Sequence, residues 1–231
     1  RGEIYAIIGP NGAGKTTLFN LISGTLAPTR GQVFYKGEDI TDHPIHQTIH
    51  KGIGRSFQIT NIFPNLTVTE NVRLAVQATG HDSFRMLASH ARFTDYYARA
   101  AEVIERVGLS DRALQLAGTL PHGDQRKLEL GMILAPDPSV LMLDEPTAGM
   151  AAEQVPQLMT LIQEIQAAGD RTVVLVEHNM SVVMTVSDRI TVMHQGAVLA
   201  EGTPAEISAD KQVQTAYLGA LYGDVAAGGE A

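Results

Sequence analysis

Short apolar runs alternate with segments of helical periodicity along most of the chain. Runs typical of buried strands occur in the stretches IYAII, SVLMLD and RTVVLV. The segment EQVPQLMTLIQEIQAAG lies between the last two runs, and its apolar residues share one face of a predicted helix: Val155, Leu158, Ile162 and Ile165. Strands that alternate with helices predict a parallel sheet covered by helices.

Turn residues mark further elements around this alternation. The stretch APTRGQVFYKGEDI predicts a hairpin, and DRITVMHQGAVLAEG predicts another that turns at Gln195 and Gly196. HPIHQTIHKG suits a short helix and GIGRSFQ a strand. From about Ile62 to Leu120 the pattern is helical, and DYYARAAEVIERVGL places these residues near helical spacing: Tyr97, Ala101, Ile104 and Val107. The middle of the chain is therefore expected to form an inserted helical subdomain.

Composition narrows the classes of protein that this pattern allows. The chain has 231 residues, of which 44% are hydrophobic, and this suffices for one large α/β domain with or without an inserted subdomain. A net charge of −8 argues against a nucleic-acid-binding surface, which is typically basic. The lack of cysteine excludes disulfides and thiolate metal sites, and it fits a reducing compartment. No apolar run approaches the roughly 18 residues that span a bilayer, and no signal peptide is visible.

A glycine-rich segment between the first predicted strand and helix matches the phosphate-binding loop pattern. Its residues are Gly9, Pro10, Asn11, Gly12, Ala13, Gly14, Lys15 and Thr16, followed by Thr17. The glycines let successive backbone N–H groups face phosphate oxygens, Lys15 brings charge to the β and γ phosphates, and Thr16 offers a hydroxyl to Mg²⁺. The competing interpretation is a glycine-rich turn with a chance lysine, which the strand before it and the helix after it disfavour.

Polar side chains follow three other predicted strands. Asp144 and Glu145 end the strand SVLMLD, and an acid at the carboxyl edge of a parallel sheet lies beside the phosphate loop. Asp144 is the candidate Mg²⁺ ligand, acting through water, and Glu145 is the candidate general base for the attacking water. His178 follows TVVLVE, and Gln58 ends GIGRSFQ. Taken alone, the acids could be a solvated strand end and His178 could be structural.

The order in which these motifs occur resembles that of the ATP-binding subunits of ABC transporters. The motifs are Lys15, Gln58, Gly123, Asp144-Glu145 and His178, and the resemblance covers nearly the whole chain. The resemblance implies ATP and Mg²⁺ as cofactors. It assigns Gln58 to sensing both Mg²⁺ and the membrane partner. Thr16, Gln58 and Asp144 are then the residues that bind Mg²⁺. Glu145, His178 and Gln58 are then the candidate catalytic residues.

The resemblance also implies a fold and its divisions. The fold is a P-loop NTPase of the α/β class, with a RecA-like, mostly parallel sheet, an inserted α-helical subdomain and a partial antiparallel β subdomain. We expect one ATPase domain over 1–231, with the nucleotide-binding core at 1–61 and 135–218, a helical signature subdomain at 62–134 and a flexible tail at 219–231. Because the chain starts at Arg1, just before a predicted core strand, we expect a fragment that lacks the N-terminal strands and the aromatic residue that stacks on adenine.

The stretch LPHGDQ stands where the family typically has Leu-Ser-Gly-Gly-Gln, the signature loop that binds the γ-phosphate of ATP held by the opposing subunit. The corresponding residues are Pro121, His122, Gly123, Asp124 and Gln125. Pro121 is the departure, because proline has neither a hydroxyl nor an N–H group. We hypothesise that the ATP site completed by Pro121 is the weaker of two. Ala151 is a second departure, since many family members carry an aspartate there that couples the two sites.

Three longer stretches look like the ATPases of branched-chain amino-acid uptake systems: GIGRSFQITNIFPNLTVTENV, HGDQRKLELGMILAPDPSVLMLDEPTAGM and DRITVMHQGAVLAEGTPAEI. This branch implies a second ABC ATPase subunit in a hetero- or homodimer, two transmembrane permease subunits and, indirectly, a periplasmic solute-binding protein. It places the chain peripherally on the cytoplasmic face of the bacterial inner membrane. Phe63 and Leu66 are candidate contacts of a permease coupling helix, or ordinary core residues.

Alternatives from other classes stay open at this point. Urea or amide importers have similar ATPases, and a soluble ABC ATPase of DNA repair or translation would share the motifs but usually carries coiled-coil insertions or basic surfaces. A P-loop kinase or GTPase would lack the ordered motif set, and an inert binding module is harder to exclude. His43, His46 and His50 have spacing that can bind metal from one helix face, although a solvated face is the simpler interpretation. Tyr96 and Tyr97 are expected to pack rather than to bind a nucleic acid strand.

Overall fold

A computed structural model of the chain describes residues 2–56, 62–78, 90–169 and 171–216, with the side chains of 90–93 left out. Gln58 and the predicted tail at 219–231 lie outside these residues. The strands are β1 (Ile4–Ile8), β2 (Phe34–Tyr35), β3 (Glu38–Asp39), β4 (Ile53–Arg55), β5 (Val140–Asp144), β6 (Thr172–Val176), β7 (Arg189–His194) and β8 (Ala197–Gly202). The helices are α1 (Lys15–Ile22), α2 (Ile45–Lys51), α3 (Val68–Ala78), α4 (His90–Arg106), α5 (His122–Leu134), α6 (Val155–Gly169), α7 (Met180–Val186) and α8 (Pro204–Ala209).

A six-stranded sheet forms the centre of the fold, in the order β4-β5-β6-β1-β7-β8. Every neighbouring pair is parallel except β7 and β8, which are antiparallel. The three predicted apolar runs form the adjacent strands β5, β6 and β1, and residues such as Ile8, Leu141 and Leu175 are buried there. Because these strands run in the same direction, their carboxyl ends lie at one edge of the sheet. This confirms the predicted mostly parallel α/β fold.

Both predicted hairpins are present. β2 and β3 pair as a small antiparallel sheet. β7 and β8 are joined at Gln195 and Gly196, whose φ angles are 50° and 80°. A two-residue turn with positive φ at both positions matches the twist of the strands that it connects. The turn sequence therefore sufficed to predict where this hairpin reverses.

The described residues of the predicted subdomain, 62–78 and 90–134, contain α3, α4, two 3-10 helices and α5. The predicted apolar face of α4 is wrong by one position at its N-terminal part. Ala100, Ile104 and Val107 are buried, whereas Ala101 is exposed and Tyr97 is 42% exposed. The hydroxyl of Tyr97 donates to the Glu70 carboxylate on α3, so this ring lies at the rim of the helix pair rather than inside it.

The predicted face of α6 is confirmed in its buried residues Leu158, Ile162 and Ile165, while Val155 is partly buried. On the opposite side of the sheet α1 contributes Phe19, which has no exposed surface. Helices therefore pack on both faces of the sheet, and the loops at its carboxyl edge are left free to form a site.

Candidate functional site: the carboxyl edge of the sheet

The phosphate loop connects the end of β1 to the first turn of α1. Gly14 is the N-cap of α1, with φ 96°, and Gly12 has φ 77°. A side chain at Gly9 would place its Cβ atom 2.2 Å from the backbone oxygen of Met193 on β7, which only glycine avoids. The loop therefore combines left-handed glycines with a helix N-terminus, and this arrangement presents backbone N–H groups to an anion.

Lys15 is buried within this loop. Its Nζ donates to the backbone oxygens of Gly9 at 2.8 Å and Pro10 at 3.1 Å. Burial lowers the pKa of the Lys15 ammonium group, while the negative charges of Glu145 and Asp144 act in the opposite direction. The charge of Lys15 is thus held between the loop and the acids at the end of β5.

Asp144 is the last residue of β5 and is only 2% exposed. Its Oδ1 atom has no hydrogen-bond partner within the described residues. Burial, and then the neighbouring charge of Glu145, raise the pKa of the Asp144 carboxyl group above its usual value. A buried carboxylate oxygen without a protein donor suits a water molecule held by a cation, so the residues present fit Mg²⁺.

Glu145 and His178, which follow the neighbouring parallel strands β5 and β6, lie together at one edge of the sheet. The Glu145 Oε1 and His178 Nε2 atoms are 2.8 Å apart, and both side chains are partly exposed. The backbone N–H of Glu145 donates to the oxygen of Val176 at 2.9 Å, which joins the ends of β5 and β6. Glu145 has a φ of 48°, in the left-handed region that costs energy for a residue with a side chain. The turn thereby aims the carboxylate away from the sheet and toward solvent-accessible space.

The signature segment begins α5 earlier than the sequence predicts. In the sequence, Pro121 and Gly123 favour a loop and predict a helix from Gln125 onward, but α5 starts at His122 with Pro121 as the N-cap. The Pro121 oxygen accepts from the N–H groups of Asp124 at 2.9 Å and Gln125 at 3.0 Å. The helix uses only the carbonyl group of its N-cap residue, so the missing N–H of proline is not needed here. Gly123 is buried, and a Cβ atom there would lie 2.9 Å from the amide oxygen of Gln154, so the end of that side chain would have to move.

Two buried polar residues of the site, Ser56 and Glu177, are not predicted by the sequence analysis. Ser56 accepts from the backbone N–H of Asp144 at 2.9 Å. Glu177 is 4% exposed and accepts from the backbone N–H and the hydroxyl of Thr147, at 3.0 Å and 2.6 Å. The available signal for Glu177 was a carboxylate directly after an apolar strand, next to His178. Ser56 carried no such signal, because its role depends on the pairing of β4 with β5.

The histidine group does not form the predicted helix face. His43 precedes Pro44, the N-cap of α2, so that only His46 and His50 are on the helix, where both are exposed. Within the described residues there is no group of three or more histidine, cysteine or acidic side chains that could hold a metal ion. Tyr97, at the rim of the α3 and α4 pair, donates to Glu70, and the guanidinium group of Arg73 lies over its ring.

The fold and this edge of the sheet define the class as a P-loop ATPase. A family model described as "ABC transporter" matches residues 1–148, and one described as "Branched-chain amino acid ATP-binding cassette transporter" matches residues 197–221. The chain is 39% identical over 222 residues to the high-affinity branched-chain amino acid transport ATP-binding protein BraF of Pseudomonas aeruginosa, covering 94% of this chain and 87% of that protein. It is 40% identical over 227 residues to LivG of Escherichia coli K12, with the same coverage.

Solved structures that resemble this chain are ATP-binding cassettes as well. The ADP conformation of MJ1267, an ATP-binding cassette of an ABC transporter, superposes with a TM-score of 0.79 at 29% identity, covering 95% of this chain and 89% of that one. The dimeric, post-hydrolysis cassette MJ0796 bound to ADP and phosphate has a TM-score of 0.73 at 27% identity, with 88% and 86% covered. The chain belongs to the ABC transporter family and is the ATP-binding, ATP-hydrolysing subunit of a transporter. In the described part of the chain no helix is long and apolar enough to cross a membrane.

Proposed function

We propose that this ATPase drives the import of branched-chain or other hydrophobic amino acids. The family match in the C-terminal part and the two relatives named above support this solute class. The observation that carries the hydrolytic mechanism is the 2.8 Å contact between Glu145 and His178 at the sheet edge that also bears the phosphate loop.

Each residue at this edge has a proposed role in hydrolysis. The phosphate loop, from Gly9 to Thr17, binds the phosphates through its backbone N–H groups, and Lys15 adds its charge. Glu145 accepts the proton of the attacking water, and His178 orients that carboxylate and the γ-phosphate. Mg²⁺, held by Thr16, Asp144 and Gln58, would neutralise charge that develops on the phosphate oxygens. The left-handed turn at Glu145 directs its carboxylate to where the water approaches.

We further propose that the complete ATPase is a pair of cassettes. The signature segment, from Pro121 to Gln125, contacts the γ-phosphate of ATP bound to the opposing cassette, which is a homologous subunit or a second copy of this chain. Gly123 and the first N–H groups of α5 supply the donors there. Pro121 has none, so the site that it completes hydrolyses ATP more slowly.

The paired cassettes attach to two transmembrane permease subunits, so that closure of the cassettes on ATP moves the permease. Phe63 is 50% exposed, which does not fit an ordinary core residue, whereas Leu66 is partly buried. We assign Phe63 to the surface that meets a permease coupling helix. The subunit then lies on the cytoplasmic face of the inner membrane without crossing it, and a periplasmic binding protein delivers the solute.

The proposed function is tested by reconstituting the chain with the permease, binding-protein and partner ATPase genes that neighbour its own. Uptake of labelled leucine, valine and urea is measured with wild-type protein and with Glu145→Gln. We expect ATP-dependent uptake of leucine with the wild-type protein and none with Glu145→Gln. Uptake of urea instead would reassign the solute, and a gene neighbourhood without permeases would favour a soluble ATPase.

A further inference from the structure

Glu177 is a buried carboxylate between the proposed catalytic residues. It directly precedes His178, and its Oε1 atom accepts both the N–H and the hydroxyl of Thr147, which lies two residues after Glu145. Its Oε2 atom accepts the backbone N–H of His178 at 3.1 Å. One side chain thus contacts both of the segments that carry Glu145 and His178.

The chemistry of these contacts calls for a carboxylate. All three partners of Glu177 are donors, and an ionised carboxylate offers only acceptors. A glutamine of the same shape would turn its amide N–H₂ group toward either the Thr147 donors or the His178 N–H. One donor would then face another in a buried place, which is unfavourable. A glutamate at this position therefore accepts from all three donors, which a glutamine could not do.

The turn after β5 needs such support. Glu145 adopts a left-handed backbone conformation, which persists only where the surroundings hold it. The hydrogen bond from the Glu145 N–H to the Val176 oxygen restrains one side of the turn. The hydrogen bonds from Thr147 to the Glu177 carboxylate restrain the other side. Together they fix the end of β5 relative to the end of β6. The distance between the Glu145 and His178 side chains depends on that alignment.

We propose that Glu177 is a positioning residue, which holds Thr147 and so sets the placement of Glu145 relative to His178. This inference rests on the catalytic roles proposed above for those two residues. It predicts that loss of the contact slows hydrolysis without weakening nucleotide binding, since neither Glu177 nor Thr147 belongs to the phosphate loop.

The test compares Glu177→Gln, Thr147→Val and their combination with wild type and with Thr147→Ser. ATPase rates are normalised to the number of nucleotide-binding sites, so that unfolded protein does not contribute. We expect kcat to fall by about ten- to a hundred-fold in the first two variants, with KM changing little, because small misplacements of catalytic groups cost rates of this order. The double variant is expected to lose little more than either single one. Thr147→Ser, which keeps the hydroxyl, is expected to retain the wild-type rate.

Several results would overturn the inference. These are an unchanged kcat in Glu177→Gln, a change confined to KM, or losses that multiply in the double variant. Glu145→Gln separates this failure from a failure of the proposed function. If Glu145→Gln abolishes hydrolysis while Glu177→Gln does not alter it, only the positioning role is wrong. If Glu145→Gln hydrolyses ATP normally, the catalytic assignment itself is wrong. Should Glu177→Gln fail to fold, the Thr147 variants decide alone.

Discussion

The hydroxyl oxygen of Ser56 accepts a hydrogen bond from the backbone N–H of Asp144 at 2.9 Å. The N–H of Ser56 in turn donates to the oxygen of Met142 at 2.8 Å, so the chain remains attached to β5 just beyond the end of β4. Ser56 lies two residues before Gln58, which the family resemblance assigns to the metal and the membrane partner. This hydrogen bond therefore connects Asp144, at the end of β5, with the residue at which the segment leading to Gln58 begins.

Replacing Ser56 with alanine should destabilise the protein through this bond. The substitution leaves the buried N–H of Asp144 without its acceptor, and an unsatisfied buried donor costs about 1–3 kcal/mol. The free energy of unfolding in urea measures the effect. Ser181→Ala, which removes an exposed hydroxyl, is the control and should change stability by less than about 0.5 kcal/mol. Equal effects of the two substitutions would contradict the role of Ser56.

Asp144 makes the stability of the protein depend on pH. Burial raises the folded-state pKa of the Asp144 carboxyl group above the ordinary value of 3.8, so folding shifts its equilibrium toward the neutral form relative to the unfolded chain. The stability that this provides is fully present below the unfolded pKa and is lost as the pH rises through the folded pKa. Without nucleotide or Mg²⁺, Asp144→Asn should therefore melt at a higher temperature than wild type at pH 7, and the gap should shrink as the pH falls toward 4.

Melting curves recorded between pH 4 and pH 8 check this expectation. A gap of constant size would show that the ionisation of Asp144 is not its cause. Addition of ATP with Mg²⁺ provides a second reading, because it should stabilise wild type more than Asp144→Asn, which lacks the carboxylate for the cation.

The phosphate loop offers a contrast between two glycines. Alanine at Gly9 would bring its Cβ atom to 2.2 Å from the Met193 backbone oxygen, and backbone atoms of a central strand cannot move aside cheaply. Alanine at Gly12 meets nothing within 4 Å among the described residues, but it must adopt a φ of 77°. We expect losses of about 3 kcal/mol for Gly9→Ala and about 1–2 kcal/mol for Gly12→Ala in denaturant unfolding. The reverse order would mean that the loop does not pack on β7.

Local patterns predicted the elements whose shape depends on near neighbours in the sequence. The apolar runs of β1, β5 and β6, the glycine loop and the turn at Gln195 and Gly196 all belong to this group. Because the ends of parallel strands share an edge, the meeting of Glu145 and His178 also followed from the sequence. The fold class was thus predictable, and so was the centre of the candidate site.

Features that depend on contacts between distant residues were not predictable in this way. Glu177 acts through Thr147 only because β5 and β6 pair in the register that puts Asp144 beside Val176. The sequence predicts too late a start for α5 because Pro121 and Gly123 are poor helix formers, whereas in the structure the Pro121 oxygen accepts the first hydrogen bonds of the helix. The rotation of α4 was misjudged because Tyr97 is held at the rim by Glu70, which lies on another helix.

Glu145→Gln should separate nucleotide binding from hydrolysis. The substitution keeps the shape of the side chain but removes the proton acceptor, and a general base contributes about 10²–10⁴-fold to a rate. We expect ATP hydrolysis to fall by this factor while ATP binding, measured by calorimetry, is retained. Glu164→Gln on the exposed side of α6 makes the same chemical change away from the site and should leave both properties unaltered. Loss of ATP binding in Glu145→Gln would instead indicate a structural role.

The last prediction concerns Pro121 and the unequal pair of ATP sites. Serine at this N-cap position would restore a hydroxyl that can contact the phosphate of the opposing cassette, and it would also cap α5, which is worth about 0.5–2 kcal/mol. Pro121→Ser should therefore raise both the ATPase rate of the assembled transporter and the stability of the isolated chain. Pro121→Ala is the matched control, because it removes the ring without adding a hydroxyl. If the alanine variant raises the rate as much as the serine variant, the effect comes from losing the proline ring, and the hydroxyl hypothesis is wrong. If neither variant changes the rate of the transporter, the site that Pro121 completes does not limit turnover, and the proposed inequality of the two sites has to be abandoned.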